Sequence, residues 1–180
     1  YQLANEIPHV QLVSAIDLEL DDFIHISGKD HHRLGWRGAK AMHALTIPGS
    51  PYHASIILER IEVVPQDDNW NGKIILTYGN VHGSLRATGL PAGFCVTTDK
   101  STLTSYSLFK TELKGNQVIL YSTDVSMDIQ NCYLHYGMGV HPFCNITDEE
   151  DRSLPVLQAL PVGLYRHLSS PLTLCYLEGP

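Results

Sequence analysis

The residues best suited to do chemistry lie in the stretch DLELDDFIHISGKDHHRLG, residues 17–35. Within it, Asp22 precedes His25 by three positions. A histidine that acts as general base for a hydroxyl nucleophile must be held in one tautomer by a carboxylate on its other ring nitrogen. In a loop, this spacing lets the carboxylate fold back onto the imidazole. The pattern therefore predicts a general base, or, in the simpler interpretation, a loop histidine paired with a neighbouring acid.

A second group in this stretch, Asp30, His31 and His32, offers the carboxylate and imidazole ligands that zinc prefers. A helix is predicted to start at about residue 30, and adjacent helical side chains point in different directions. We therefore expect exposed residues of a first helical turn, with Asp30 as a candidate cap. Neither a metal nor a cofactor is expected.

The elements around the loop predict how these residues are positioned. Residues 10–16, VQLVSAI, form an apolar run typical of a strand buried on both faces of a parallel sheet. After the loop, Leu34, Gly38, Met42 and Leu45 recur at helical spacing until Pro48 and Gly49 end the run. Strand, loop and helix make a βα unit, and open α/β sheets place their active sites in the loop that leaves the strand.

From about residue 52 the pattern changes to short alternating segments that are typical of a β-sandwich or barrel. We predict hairpin turns at residues 71–72 and 115–116, because Asn and Gly accept the positive φ of such turns. Residues 137–180 are expected to be extended chain over the surface. The predicted strands lie near residues 54–64, 73–79, 92–98, 103–111, 116–123 and 129–136.

Composition limits the functional classes. The chain has 180 residues, 43% of them hydrophobic, and a net charge of −7, so it can bury a core and carries no basic patch for nucleic acid. No apolar run reaches the ~18 to 20 residues that span a bilayer, so no membrane partner is expected.

The chain begins at Tyr1 with a sequence typical of the interior of a domain, so we expect a further segment upstream. The cysteines match no metal or redox spacing and are expected to be structural thiols, with one disulfide if the protein is exported; they are Cys95, Cys132, Cys144 and Cys175.

The segment VSAIDLELDDFIHISGKDHHRLGWRGAKAMHAL resembles the final catalytic block of SGNH-type carbohydrate esterases, the group of sialate O-acetylesterases and acetylxylan esterases. The matching residues are Asp22, His25, Arg33, Leu34, Gly35 and Ala39. Residues 132–155 look like the β-rich appendage of the same family. The resemblance implies an α+β chain: the terminal βα unit of an SGNH (flavodoxin-like α/β) hydrolase domain in residues 1–50, a mainly β, sandwich-like domain in residues 51–160, and a tail or linker in residues 161–180.

The resemblance also implies a function, serine-type hydrolysis of acetyl esters on carbohydrates. It makes His25 the general base and Asp22 its orienting carboxylate, with Asp21 as the adjacent alternative. The family's serine and oxyanion hole belong to earlier blocks, so a missing N-terminal segment or partner subunit is expected to supply the serine, and this chain alone is expected to be inactive. Ile26 replaces the family's proline, and Phe23 replaces a frequent acidic residue.

Other candidates are weaker. The pairs Gly49-Ser50 and Gly83-Ser84 lie in a Pro-rich turn and a β segment, where no strand-to-helix elbow exposes a nucleophile. A rim of Tyr133, His135 and Tyr136 that faces a sugar is an alternative to a simple hairpin or bulge.

The alternative function is a non-catalytic β-sandwich module that binds carbohydrate or supports a partner. A secreted or periplasmic location is expected for the esterase, because polymer-borne acetyl esters lie outside the cell.

Overall fold

The computed structural model describes residues 7–64, 72–98, 108–122 and 131–163. These residues form one helix and nine strands, which confirms the mixed, strand-rich α+β class. The helix, α1, spans Gly28–Thr46. The strands are β1 (Ile57–Val64), β2 (Lys73–Gly79), β3 (Arg86–Ala87), β4 (Phe94–Thr97), β5 (Leu108–Lys114), β6 (Gln117–Ser122), β7 (Tyr133–Tyr136), β8 (Ile146–Thr147) and β9 (Leu157–Pro161).

Helix α1 confirms the helical spacing and ends two residues before Pro48. Its N-cap is Ser27, whose Oγ accepts a hydrogen bond from the Asp30 backbone N–H at 3.2 Å. The expectation that Asp30 is an exposed cap is wrong. Its side chain is buried, and a carboxylate oxygen accepts from the Glu19 N–H at 2.5 Å instead. Both His31 and His32 are exposed, as expected.

The larger sheet is antiparallel, with strand order β1-β2-β6-β5. Strands β5 and β6 are joined by the predicted two-residue turn, in which Gly115 adopts a φ of 60°. Strands β1 and β2 also pair antiparallel, although Asn71 of their predicted turn lies outside the described residues. The described parts of the six predicted strands all overlap observed strands.

A three-stranded sheet, β4-β7-β9, and the short pair β3-β8 complete the β-rich part, and the arrangement is compatible with a sandwich. One apolar core joins Leu76 and Leu120 of the large sheet to Leu134 of β7. The expectation of surface chain from residue 137 onward is wrong for its described part, because Ile146 and Leu154 are fully buried in this core. Residues 164–180 lie outside the described chain.

Residues 10–16 do not form the predicted strand. Their backbone groups bond to side chains: the Leu12 N–H donates to Ser55 Oγ at 2.8 Å, and the Ser14 carbonyl accepts from Arg37 at 3.1 Å. Backbone polar groups must be paired somewhere, and no strand within the described ranges pairs with this segment. Side chains therefore take the place of a sheet neighbour.

Candidate functional site

The Asp22–His25 loop is closed by its own backbone. An antiparallel bridge joins Leu20 to Ile26, and the Asp21 N–H donates to the His25 carbonyl at 2.9 Å. Below this bridge, the Ser27 N–H donates to the Glu19 carbonyl at 2.9 Å. The sequence thus folds into a narrow loop at the start of α1, with residues 22–25 at its tip.

Within this tip, Asp22 uses both carboxylate oxygens. Its Oδ1 accepts from the backbone N–H groups of Ile24 and His25, each at 2.8 Å, and its Oδ2 lies 2.7 Å from Nδ1 of the His25 ring. The hydrogen bond from His25, followed by the two backbone N–H groups, lowers the pKa of the Asp22 carboxyl. The alternative carboxylate, Asp21, accepts from the Gly28 N–H at 3.2 Å instead. Asp22 is therefore the carboxylate that holds the imidazole.

The geometry fixes what the His25 ring can do. An ionised carboxylate only accepts hydrogen bonds, so Nδ1 carries a proton, and in the neutral ring Nε2 carries the lone pair. Nε2 forms no hydrogen bond to any residue in the described ranges, and the side chain is 70% exposed. The ring can therefore take a proton from a hydroxyl group that approaches from outside. Phe23 and Ile24 beside it are also exposed, at 83% and 64%.

The loop and the helix are anchored to the β-rich part by two arginines of α1, one helical turn apart. Arg37 donates to both carboxylate oxygens of Asp17, each at 2.7 Å, and to the Asp151 carbonyl at 2.5 Å. Arg33 donates to both carboxylate oxygens of Asp151, through Nε at 2.7 Å, and lies 2.9 Å from Asp17. Asp17 and Arg37 are 2% and 3% exposed. We call these four residues the ion-pair network.

Within the network, Asp151 shows how the charges support one another. Burial acts to raise the pKa of its carboxyl, but the hydrogen bond from Arg33 and the nearby Arg37 charge bring it below its usual value. The hydrogen bond to Asp151 raises the pKa of Arg33 in turn. Of the four residues, the resemblance matched Arg33 alone, and Arg37, Asp17 and Asp151 were not predicted. Asp151 and Arg33 are therefore both ionised at neutral pH.

The serines considered from the sequence are engaged elsewhere. Ser50 Oγ lies 2.8 Å from Nδ1 of His43 and accepts from the Tyr52 N–H at 3.1 Å, which makes it part of the turn that follows α1. Ser84 Oγ donates to Glu149 at 3.0 Å. No serine in the part of the chain that the structure describes bonds to His25. The Ser50–His43 contact was not predicted, because seven residues separate the pair across a helix end.

The favoured bulge is present in β7, where the register shifts between Leu134 and Tyr136, and the alternative of a sugar-facing rim is wrong for two of its three residues. Tyr136 is fully buried and His135 is 2% exposed, because β7 is the central strand of its sheet. The Ala159 N–H donates to Nδ1 of His135 at 3.1 Å, and its Nε2 lies 3.1 Å from Thr97 Oγ1. Burial lowers the pKa of this histidine. His135 is a neutral core residue with both nitrogens satisfied.

The remaining sequence expectations concern thiols and membranes. Cys95 and Cys144 are free thiols, and Cys132 is buried, whereas Cys175 lies outside the described residues. Burial raises the pKa of Cys144 to about 11, so this thiol stays protonated. Within the described ranges, α1 lacks the apolar length that a bilayer crossing requires.

Comparison with known proteins gives a fold-level likeness. No protein-family model matches the chain, and no curated protein matches it. Among solved structures, a carbohydrate acetylesterase from Xanthomonas citri superposes with a TM-score of 0.53 at 18% sequence identity, over 78% of this chain and 30% of that one. The likeness shows a shared fold. The chain spans less than a third of that esterase's length.

Proposed function

We propose that this chain carries the histidine and aspartate of a Ser-His-Asp triad in a carbohydrate O-acetylesterase. The observation that carries the proposal is the 2.7 Å contact between His25 Nδ1 and Asp22 Oδ2 on a ring whose Nε2 is open to solvent. The structural likeness to a carbohydrate acetylesterase supports it. In this proposal residues 1–50 end an SGNH hydrolase domain, residues 51–160 are its β-sandwich-like appendage, and residues 161–180 are a tail or linker.

The reaction needs a serine from outside the described residues, on another segment or subunit. His25 Nε2 takes the serine hydroxyl proton as the serine oxygen bonds to the acetyl carbonyl carbon. The proton then passes from His25 to the sugar oxygen as the bond between the sugar oxygen and the carbonyl carbon breaks. Water opens the acyl-enzyme by the same route, and acetate leaves. Asp22 stabilises the imidazolium at each step. Because acetylated polymers lie outside the cell, the proposal includes a secreted or periplasmic location.

The test uses the full-length natural protein with an acetylated xylan oligosaccharide as substrate. His25→Ala and Asp22→Asn should each lower kcat at least about 1,000-fold, because the base or its orientation is lost. His32→Ala is the matched control, since His32 is an exposed histidine on the neighbouring helix turn. Ser50→Ala is a second control, because Ser50 bonds to His43 and not to His25. Both controls should keep their activity.

Three results would overturn this assignment. Acetyl-ester hydrolysis that persists in His25→Ala would remove the base from the mechanism. A loss caused by Ser50→Ala alone would move the chemistry to the Ser50–His43 pair. If the full-length protein binds the oligosaccharide but never hydrolyses it, the chain is the non-catalytic module instead.

A further inference from the structure

Three ligand-type side chains meet at a point separate from the His25 loop: His53, His82 and Glu150. One ligand atom from each lies within 4.8 Å of the other two. Nδ1 of His53 is 3.1 Å from Glu150 Oε1, and the two imidazole centroids are 4.6 Å apart. Two imidazoles and one carboxylate are a donor set that Zn²⁺ takes in proteins.

The three residues come from different segments, and hydrogen bonds from the backbone to the Asp148 side chain hold two of these segments in place. His53 precedes β1, His82 follows β2, and Glu150 lies in the turn between β8 and β9. The buried carboxylate of Asp148 accepts from the His82 N–H and from the Glu150 N–H, each at 3.0 Å. Asp148 thus fixes the segments that carry two of the three side chains, so the cluster is part of the fold.

The charges around the cluster favour a cation. Glu150 is 11% exposed, and its Oε2 is buried and accepts no hydrogen bond from the described residues. This oxygen lies 3.3 Å from Nε of Arg152, whose guanidinium also pairs with Asp148 at 2.6 Å. The carboxylates of Asp148 and Glu150 therefore share the Arg152 guanidinium, and Lys40 Nζ donates to the Glu150 backbone carbonyl at 3.0 Å. A bound divalent cation would give the Glu150 carboxylate a positive partner that it does not share with Asp148.

We infer that His53, His82 and Glu150 form a binding site for a zinc-type divalent cation. Ligand distances of about 2.0 to 2.2 Å in a tetrahedron place neighbouring ligand atoms about 3.3 to 3.6 Å apart. The His53–Glu150 pair, at 3.1 Å, is already close to this separation, and the exposed imidazole of His82, whose ligand atom lies within 4.8 Å of both, has to move by at most about 1.5 Å. His53 is 43% exposed, so the ion has an entry path and water completes the coordination.

Metal binding at this site should stabilise the fold, because it links the segments before β1, after β2 and between β8 and β9. A ligand that binds only the folded state stabilises it by mass action. Since Glu150 neighbours Asp151 of the ion-pair network, the effect should extend to the anchoring of α1. The inference does not depend on esterase activity, and its test involves no substrate.

The experiment measures Zn²⁺ binding to the chelator-treated chain by calorimetry, and Co²⁺ binding by the visible absorption of the complex. We expect one ion per chain and a thermal midpoint that rises with Zn²⁺ concentration. His53→Ala, His82→Ala and Glu150→Gln should each weaken affinity at least about tenfold, the loss that removal of a mere outer-shell partner causes. His32→Ala should bind as the unmodified chain does.

Circular dichroism of each variant shows whether it is folded. If an alanine variant does not fold, Glu150→Gln still tests the site, because glutamine keeps the shape of the glutamate side chain. Stoichiometric binding that survives all three substitutions would place the ion elsewhere and overturn the inference. Absence of binding by the unmodified chain at millimolar Zn²⁺ would overturn it too. Cobalt absorption bands typical of six-coordinate ions, unchanged in the variants, would count as adventitious surface binding and against the site.

Discussion

Arg37→Ala should lower the free energy of unfolding by about 3 kcal/mol. Arg37 is 3% exposed and donates to two carboxylate oxygens of Asp17, to the carbonyls of Ser14 and Asp151, and to the Asp151 carboxylate at 3.1 Å. Its removal leaves the Asp17 carboxylate, which is 2% exposed, without its bidentate partner. Loss of one partner of a buried ion pair typically costs about 3 to 5 kcal/mol. We take the lower value because Arg33 remains 2.9 Å from Asp17.

The assay is urea unfolding followed by circular dichroism, with the free energy extrapolated to water. Lys110→Ala is the control, because the Lys110–Glu112 pair is exposed at 54% and 41% and exposed pairs contribute little. Asp17→Asn added to Arg37→Ala should recover part of the loss, since the uncompensated buried charge is then gone. A loss below about 1 kcal/mol for Arg37→Ala would refute the view that the network anchors α1.

Two further predictions concern titration. His25→Ala should raise the pKa of the Asp22 carboxyl toward 3.8, because the hydrogen bond from His25 is the largest cause of its low value; a carbon NMR titration that shows no rise would contradict the Nδ1–Oδ2 contact. Burial lowers the pKa of His135 below 6.5, so the unfolded state takes up the proton first as pH falls. The stability that His135 contributes should be complete above pH 6.5 and lost as pH falls through the folded-state value. His135→Gln should lose less unfolding free energy than the unmodified chain as pH falls below 6.5. Equal slopes of unfolding free energy against pH in the two proteins would refute the view that His135 is buried in its neutral form.

Secondary structure that depends on local pattern was predictable from the sequence. The spacing of Leu34, Gly38 and Met42 indicated α1, and the Gly115–Asn116 turn indicated the β5–β6 hairpin, because each pattern involves residues that touch their neighbours along the chain. The prediction of a strand at residues 10–16 was wrong, because a strand depends on a partner elsewhere in the chain. An apolar run indicates burial, but whether it becomes a strand depends on a neighbouring strand that the run itself cannot specify.

The candidate site divides in the same way. The contact between Asp22 and His25 followed from a spacing of three residues, although the catalytic role stays a prediction. The ion-pair network joins Arg33 to Asp151 across 118 positions, and His53 meets Glu150 across 97. No sequence motif predicts contacts between residues so far apart along the chain. Charged and imidazole side chains in separate segments look like ordinary surface residues until the chain is folded.

The span between Arg33 and Asp151 also bears on the order in which the molecule assembles. The hydrogen bonds that shape residues 19–28 connect positions close in sequence, so this hairpin-like tip can form early and cheaply. Docking α1 requires closure of a long loop, whose entropy is recovered only when the turn carrying Asp151 arrives. During synthesis on the ribosome, the tip that carries His25 would therefore exist before Asp151 fixes α1 against the β-rich part, and this docking would be a late event of folding.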